Sequence, residues 1–130
     1  MHRRSVLKLA GAAALAAPFS ARGARAQDAT VKIGVIGPRT GVMASGAAVS
    51  HFPNFKLWEH EINGRGGLKL KSGQKKVELI EYDDRSQPGE TIKAVERLAA
   101  QDKVDFIMPV YGTGYNLAAA PIYAKYGYPQ

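Results

Sequence analysis

The order of patterns along the sequence predicts an α/β protein, an open parallel sheet with flanking helices. Strand-like and helix-like segments alternate three times between residues 30 and 130, and such alternation is typical of parallel sheets covered by helices. The strand-like segments are short apolar runs, as expected for strands buried on both faces. The helix-like segments carry apolar side chains at spacings of three and four.

The first 26 residues differ from the rest and have the features of an export signal. "MHRRSVLK" is a charged start, "LAGAAALAAPF" is a short apolar stretch, and "ARA" fits a small-x-small cleavage site. The adjacent Arg3 and Arg4 indicate a twin-arginine signal, although the flanking residues depart from its usual pattern. An ordinary secretory signal is the alternative. We expect cleavage near Ala26/Gln27 and a mature chain that works outside the cytoplasm.

The charge distribution argues against a nucleic-acid partner. The net charge is +7, but five of the cations lie in residues 1–26, and 13 cations and 11 acids remain beyond them. Because these two numbers are nearly equal, the residues beyond 26 offer no excess of positive charge for binding DNA or RNA. The chain has no cysteine, which excludes disulfides and thiolate chemistry.

The first strand is predicted at Thr30 to Gly37 ("TVKIGVIG"), and the first helix from about Ala47 to Asn63. If Ser50 caps this helix, Pro53 lies in its first turn and costs little; otherwise the proline kinks the helix. The glycine-rich "NGRGG" ends it. The apolar stripe of the helix consists of Val49, Phe52, Phe55, Trp58 and Ile62.

A small hairpin around Ser72-Gly73 leads into the second strand, predicted from about Lys76 to Tyr82. Pro88 suits the first position of the second helix, which runs to about residue 102. "VDFIMPV" is the third strand, and "YNLAAAPIYAKYG" is a third helix with a proline as a possible kink.

Three strands make a small sheet, because such sheets normally have at least four or five. We therefore expect residues 27–130 to be an incomplete part of a larger fold, and "YPQ" at the end to approach a fourth strand. The unpaired strand edge should leave these residues marginally stable by themselves.

Several enzyme motifs nearly occur and fail. "GVMASGAA" has the glycine spacing of a P-loop without its lysine and hydroxyl residue, and "GTGYNL" lacks the third glycine of the dinucleotide fingerprint. "HEING" has Gly64 where a second zinc-binding histidine would be. The adjacent carboxylates of Asp83 and Asp84 should point apart, so they are not expected to share a catalytic proton. The sequence thus predicts no catalytic residue, no metal and no cofactor.

The remaining candidates for binding are two loops at the carboxyl ends of predicted strands, where open α/β sheets bind ligands. Both loops lead into helix N-termini, which favour an anion such as a carboxylate. The glycines could equally serve only as tight turns. The candidate residues are Thr40, Ser45 and Gly46 in the first loop, and Gly112, Thr113 and Gly114 in the third.

Four stretches together resemble one protein family. "IGVIGPRTG", "EINGRGGL", "VELIEYDDRSQPGETIKAVERLAAQDKVDFI" and "YGTGYNLAAAPIYAKYGYP" are similar to the type I periplasmic solute-binding proteins of ABC importers, particularly the branch for branched-chain and other amino acids. The resemblance covers residues 30–130. It implies a bilobal protein that closes over its ligand like a hinged clamp, with residues 27–130 forming the first part of the N-terminal ligand-binding lobe.

The resemblance also implies roles for the loop residues. Gly112, Thr113 and Gly114 correspond to the loop that holds an amino acid's carboxylate, and Ser45 and Gly46 to a loop that lines the same cleft. The implied partners are a small-molecule solute, an ABC permease in the inner membrane and, through the leader, the export machinery.

Two other classes of function remain open at this point. One is a ligand-sensing receptor or regulator domain of the same fold; the other is an enzyme on a Rossmann-like sheet, against which the incomplete glycine fingerprint argues.

The leader yields a testable prediction. Expressed with its native leader, the exported protein should begin at Gln27 or within a residue or two, as N-terminal sequencing would show. Replacing Arg3 and Arg4 by lysine should block export if the route is twin-arginine, because the arginine pair defines that signal. Unimpaired export of this double variant would mean an ordinary secretory signal.

Overall fold

A parallel sheet with helices packed on both faces forms the centre of the computed structural model, which describes residues 30–129. The three strands of this sheet are β1 (Val31–Gly37), β4 (Val77–Asp83) and β5 (Phe106–Ile107). A separate antiparallel hairpin consists of β2 (Leu68–Leu70) and β3 (Gly73–Lys75). The helices are α1 (Ala44–Ser50), α2 (Phe52–Gly64), α3 (Pro88–Arg97), which continues into a π-helical turn (Leu98–Asp102), and α4 (Thr113–Tyr126).

Strand β1 occupies the middle of the sheet, in the order β4-β1-β5. It pairs in parallel with all of β4 and, at Ile33 and Gly34, with β5. Successive side chains of a strand point to opposite faces. Accordingly Val31, Ile33 and Val35 pack toward α1 and α2, whereas Ile36 packs toward α3 and α4. The predicted α/β class and the burial of this strand on both faces are confirmed.

On the side of β1 that faces α3, position 34 has room only for a glycine. A methyl group there would lie 2.5 Å from Cδ1 of Leu98. Leu98 is fully buried in the π-helical turn, among the side chains that join α3 to α4. Gly34 therefore allows the end of α3 to approach the sheet closely.

The first predicted helix is divided in two, which corrects the prediction of one helix from Ala47 to Asn63. The chain breaks at His51, which precedes α2, so Pro53 lies at the second position of that helix and lacks only a hydrogen bond that the first turn could not make. Ser50 is therefore not the cap. Val49, placed by its spacing in the apolar stripe, is 78% exposed because it belongs to α1 and not to α2.

The other elements lie close to their predicted positions. The hairpin turns at Lys71 and Ser72, one residue before the predicted Ser72-Gly73, since Gly73 already pairs with Leu70. Pro88 begins α3. The third strand is shorter than "VDFIMPV". The amide of Met108 still donates to the carbonyl oxygen of Gly34 at 2.9 Å, but the next amide on that side, that of Val110, donates to Oδ1 of Asn116 instead of to β1. Residues 1–26, the predicted leader, lie outside the described residues. Between residues 30 and 129, no helix combines the length and apolar character that crossing a membrane requires.

The contact of Gly34 with Leu98 can be tested by adding one methyl group. Gly34→Ala should destabilise the fold by roughly 1–3 kcal/mol, the usual cost of overpacking a core, as measured by chemical denaturation. Gly64→Ala is the matched control, because a methyl group there meets no atom within 4 Å and removes a flexible glycine from a helix. Equal stability of the two variants would show that the Leu98 side chain moves aside without a cost in stability.

Candidate functional site

Three loops meet where the parallel strands end. Loop one (residues 38–43) follows β1, loop two (84–87) follows β4, and loop three (108–112) follows β5. Because the three strands are parallel, these loops lie at one edge of the sheet, here called the carboxyl edge. Such edges are where open α/β sheets bind ligands.

Ser86 in loop two connects loop one with α4. Its hydroxyl donates to the carbonyl oxygen of Thr40 at 3.0 Å and accepts from the amide of Met43 at 3.1 Å. Its own carbonyl oxygen accepts from the hydroxyl of Tyr115 at 3.0 Å. Ser86 is buried, so these hydrogen bonds set the relative position of the loops away from water.

The backbone of loop two adopts an uncommon conformation to place Ser86. Arg85 and Ser86 both have a φ of 55°, in the left-handed region that residues other than glycine seldom adopt. The two preceding carboxylates support this turn: Asp83 accepts from the amide of Arg85 at 2.8 Å, and Asp84 from the amide of Ser86 at 3.0 Å.

Asp83 also holds loop one. It accepts from the amide of Arg39 at 2.8 Å and from the hydroxyl of Thr40 at 2.8 Å. Although burial acts in the opposite direction, the hydrogen bonds from Arg85, Arg39 and Thr40 lower the pKa of Asp83. Thr40, a candidate from the sequence, thus uses its hydroxyl within the protein.

Asp84 points elsewhere, into the protein. It is fully buried and accepts from the hydroxyl of Thr91 at 3.3 Å. Burial raises the pKa of Asp84, against the opposing effect of its hydrogen bonds. Asp83 and Asp84 thus bind different groups, as expected for neighbouring side chains that point apart.

His51 is the buried group behind loop one. Its Nε2 donates to the carbonyl oxygen of Ile36 at 3.0 Å, and its ring meets Phe52, Phe55 and Tyr111 edge to face, with centroids 4.9 to 5.5 Å apart. Burial lowers the pKa of His51, more than the bond to Ile36 raises it. The histidine therefore packs as a neutral ring and supports the carboxyl edge from below.

The structure places the five remaining candidates at this edge. Ser45 and Gly46 are the second and third residues of α1, while Gly112 precedes α4 and Thr113 and Gly114 begin it. The two groups adjoin each other. A methyl group at Gly46 would lie 2.5 Å from the Tyr111 hydroxyl of loop three, and one at Gly112 would lie 3.2 Å from Cε of Met43 in loop one.

The beginning of α4 is open toward solvent. Thr113 and Gly114 are exposed, and a methyl group at Gly114 would meet no atom within 4 Å. Within residues 30–129, neither the Thr113 hydroxyl nor the amides of Thr113 and Gly114 have a hydrogen-bond partner. By contrast, Asn116 closes loop three through two bonds to the backbone of Val110, at 2.8 and 3.0 Å. The free donors of Thr113 and Gly114 thus follow a turn that the hydrogen bonds of Asn116 hold in place.

The sequence did not reveal Tyr111 or Ser86. Tyr111 is half-buried between His51 and Gly46 and lies beside the first turn of α4. An aromatic residue directly before the glycine of loop three was the available signal. Ser86 has no signal of its own, since its role arises from the left-handed turn. In the described part of the chain, no group of three His, Asp or Glu side chains could hold a metal ion.

Comparisons with known proteins agree on one family. The model of a family described as "Periplasmic binding protein" matches residues 30–130. An amino acid binding protein of Pseudomonas aeruginosa is 29% identical over 99 residues, 76% of this chain and 25% of that protein.

Two solved structures extend the comparison. One is a branched-chain amino acid transporter substrate-binding protein from Streptococcus pneumoniae in complex with isoleucine, 27% identical, with a TM-score of 0.70 over 78% of this chain and 28% of that one. The other is an ABC transporter solute-binding protein from Rhodopseudomonas palustris in complex with 3,4-dihydroxybenzoic acid, 35% identical, with a TM-score of 0.62 over 77% of this chain and 26% of that one. This chain thus spans about a quarter of the length of these relatives.

The connecting role of Ser86 can be tested by removing its hydroxyl. Ser86→Ala should cost roughly 1–3 kcal/mol of stability, because it leaves the Met43 amide and the Thr40 carbonyl without their buried partner. Ser72→Ala, in the exposed hairpin turn, is the control and should be nearly neutral. Thermal denaturation measures both. A Ser86→Ala variant as stable as the control would show that water replaces the hydroxyl without cost.

Proposed function

The chain belongs to the periplasmic binding protein family, and we propose that it forms the first part of an extracytoplasmic solute-binding protein that captures a small carboxylate for an ABC importer. The homologues are solute-binding proteins and not enzymes. In this proposal residues 1–26 are a leader, residues 27–130 belong to the N-terminal lobe of a hinged clamp, and an inner-membrane permease receives the solute.

The observation that carries the proposal is the set of free donors at the start of α4. Three donors, the hydroxyl of Thr113 and the amides of Thr113 and Gly114, stand together without a partner among the described residues. They lie at the N-terminus of a 14-residue helix, whose dipole favours a negative charge. No cation is needed, because amide and hydroxyl groups alone can bind a carboxylate strongly.

The ligand class follows from what different family members hold. The similar structures contain isoleucine in one case and 3,4-dihydroxybenzoic acid in the other, and a carboxyl group is what these two molecules share. We infer that α4 binds the carboxylate, while Ser45, Gly46 and Tyr111 line the wall beside it. Gly112, with a φ of 104°, serves to turn the chain into the helix.

The first test removes the hydroxyl of Thr113 in the complete protein. Thr113→Val keeps the shape of the side chain, and the loss of one hydrogen bond to a charged group, roughly 1.5–3 kcal/mol, should weaken binding about 10- to 150-fold. Calorimetric titration with leucine, isoleucine, valine and 3,4-dihydroxybenzoate identifies the ligand and measures the loss. Thr30→Val is the control, since Thr30 lies at the opposite edge of the sheet, where it binds Glu78.

Gly114 provides an independent test of close approach to the backbone. Gly114→Val should abolish binding without harming the fold, because its side chain would fill open space that the ligand needs. Gly112→Val is less informative, since a branched residue at positive φ strains the chain by itself. The amide of the best amino acid ligand should bind far more weakly than the acid. Parental affinity in folded Thr113→Val and Gly114→Val variants would place the carboxylate elsewhere, with Ser45 as the next candidate.

A further inference from the structure

The positive charge of the described chain is concentrated in one hairpin. Residues 65–76, here called the basic hairpin, contain β2 and β3 and have five cations and no acid. The other described residues have eight cations and ten acids, so the rest of this part of the chain is slightly acidic. The cations of the basic hairpin are Arg65, Lys69, Lys71, Lys75 and Lys76.

Most of these cations are not neutralised by nearby carboxylates. Arg65 pairs with Glu61 at 3.3 Å, and Lys76 donates to the carbonyl oxygen of Asn63. Lys69, Lys71 and Lys75 form no ion pair with any described residue. Lys75 lies opposite Leu68 and shares its face of the hairpin, whereas Lys69 points to the other face, so positive charge is present on both faces.

The hairpin also exposes an apolar side chain among its lysines. Leu68 packs against the core beside Val77, but Leu70, two residues further along the same face, is 42% exposed. Gly73 is the residue opposite Leu70 in the ladder and offers no side chain to cover it. Lys69 and Lys71 flank Leu70, so the tip combines one apolar group with long basic side chains.

From this composition we propose that the basic hairpin binds the surface of an anionic phospholipid bilayer. Four of its five cations are lysines, whose ammonium groups are hydrated point charges suited to a diffuse negative layer. Interfaces with proteins favour arginine and aromatic anchors and are poor in lysine, and residues 65–76 contain no aromatic residue. Leu70 can enter the headgroup region while the lysines beside it reach the phosphates.

The position of the basic hairpin is compatible with ligand binding. Lys76 directly precedes β4, whereas loop two directly follows it, so the seven residues of this strand separate the two surfaces by about 20 Å. The carboxyl edge lies at the opposite end of the sheet. A protein bound to a bilayer through the hairpin keeps that edge open to the aqueous phase.

Vesicle co-sedimentation of the exported, leader-free protein tests the proposal, since residues 1–26 are basic themselves. Vesicles of equal parts phosphatidylglycerol and phosphatidylcholine should bind the protein at about 0.01 M salt and release it at about 1 M, where the Debye length is only about 3 Å. Pure phosphatidylcholine vesicles should not bind it. Replacing Lys69, Lys71 and Lys75 by glutamine should weaken binding on the order of 100-fold, at roughly five-fold for each charge.

A matched control removes three cations from the helices instead. Lys93, Arg97 and Lys125 lie on α3 and α4 and are exposed; replacing them by glutamine changes the net charge equally and should leave vesicle binding at the parental level. Equal loss in both triple variants would mean that net charge alone acts, and absence of binding by the parent would overturn the proposal. Binding to polyglutamate but not to the vesicles would identify an acidic protein as the partner instead.

Discussion

The left-handed turn after β4 determines the geometry of the carboxyl edge. Two consecutive residues adopt positive φ without being glycine, at a cost of roughly 1–2 kcal/mol each. Two carboxylates and the hydroxyl of Ser86 offset this cost through hydrogen bonds within loop two and to loop one. The same turn holds loop one and, through the hydroxyl of Tyr115, the start of α4. Loop two therefore helps to position the free donors of that helix, although it contributes none of them.

The sheet supplies the second constraint. Central strand β1 separates two clusters of side chains beneath α1 and α2 from a third cluster beneath α3 and α4. Gly34 lets the end of α3 approach this strand, while His51 fills the space behind loop one. Both contacts lie inside the fold, and the start of α4 keeps its small residues and unpaired donors exposed to solvent.

The sequence predicted most of the architecture because its signals were local. Apolar runs, Pro88 and the glycines after α2 each mark an element through their own conformational limits. The errors arose where contacts between residues distant in sequence determine the local structure. Spacing alone assigned Val49 to a buried stripe, yet the chain breaks at His51, whose ring bonds to the carbonyl oxygen of Ile36 on β1. Likewise the loops were predicted from glycine content, whereas the role of Ser86 can be recognised only when the three loops are brought together in space.

The neutral state of His51 makes the fold sensitive to acid. Its pKa in the folded protein lies below the ordinary value of 6.5, so the unfolded chain binds the proton more readily. The contribution of His51 to stability is therefore complete above pH 6.5 and declines as the pH falls through the folded-state pKa. A family member outside the cytoplasm meets the pH of its surroundings directly. In an acidic medium the proton then acts as a ligand of the unfolded chain. It binds the same His51 ring that packs against Tyr111 and lies behind loop one in the folded protein.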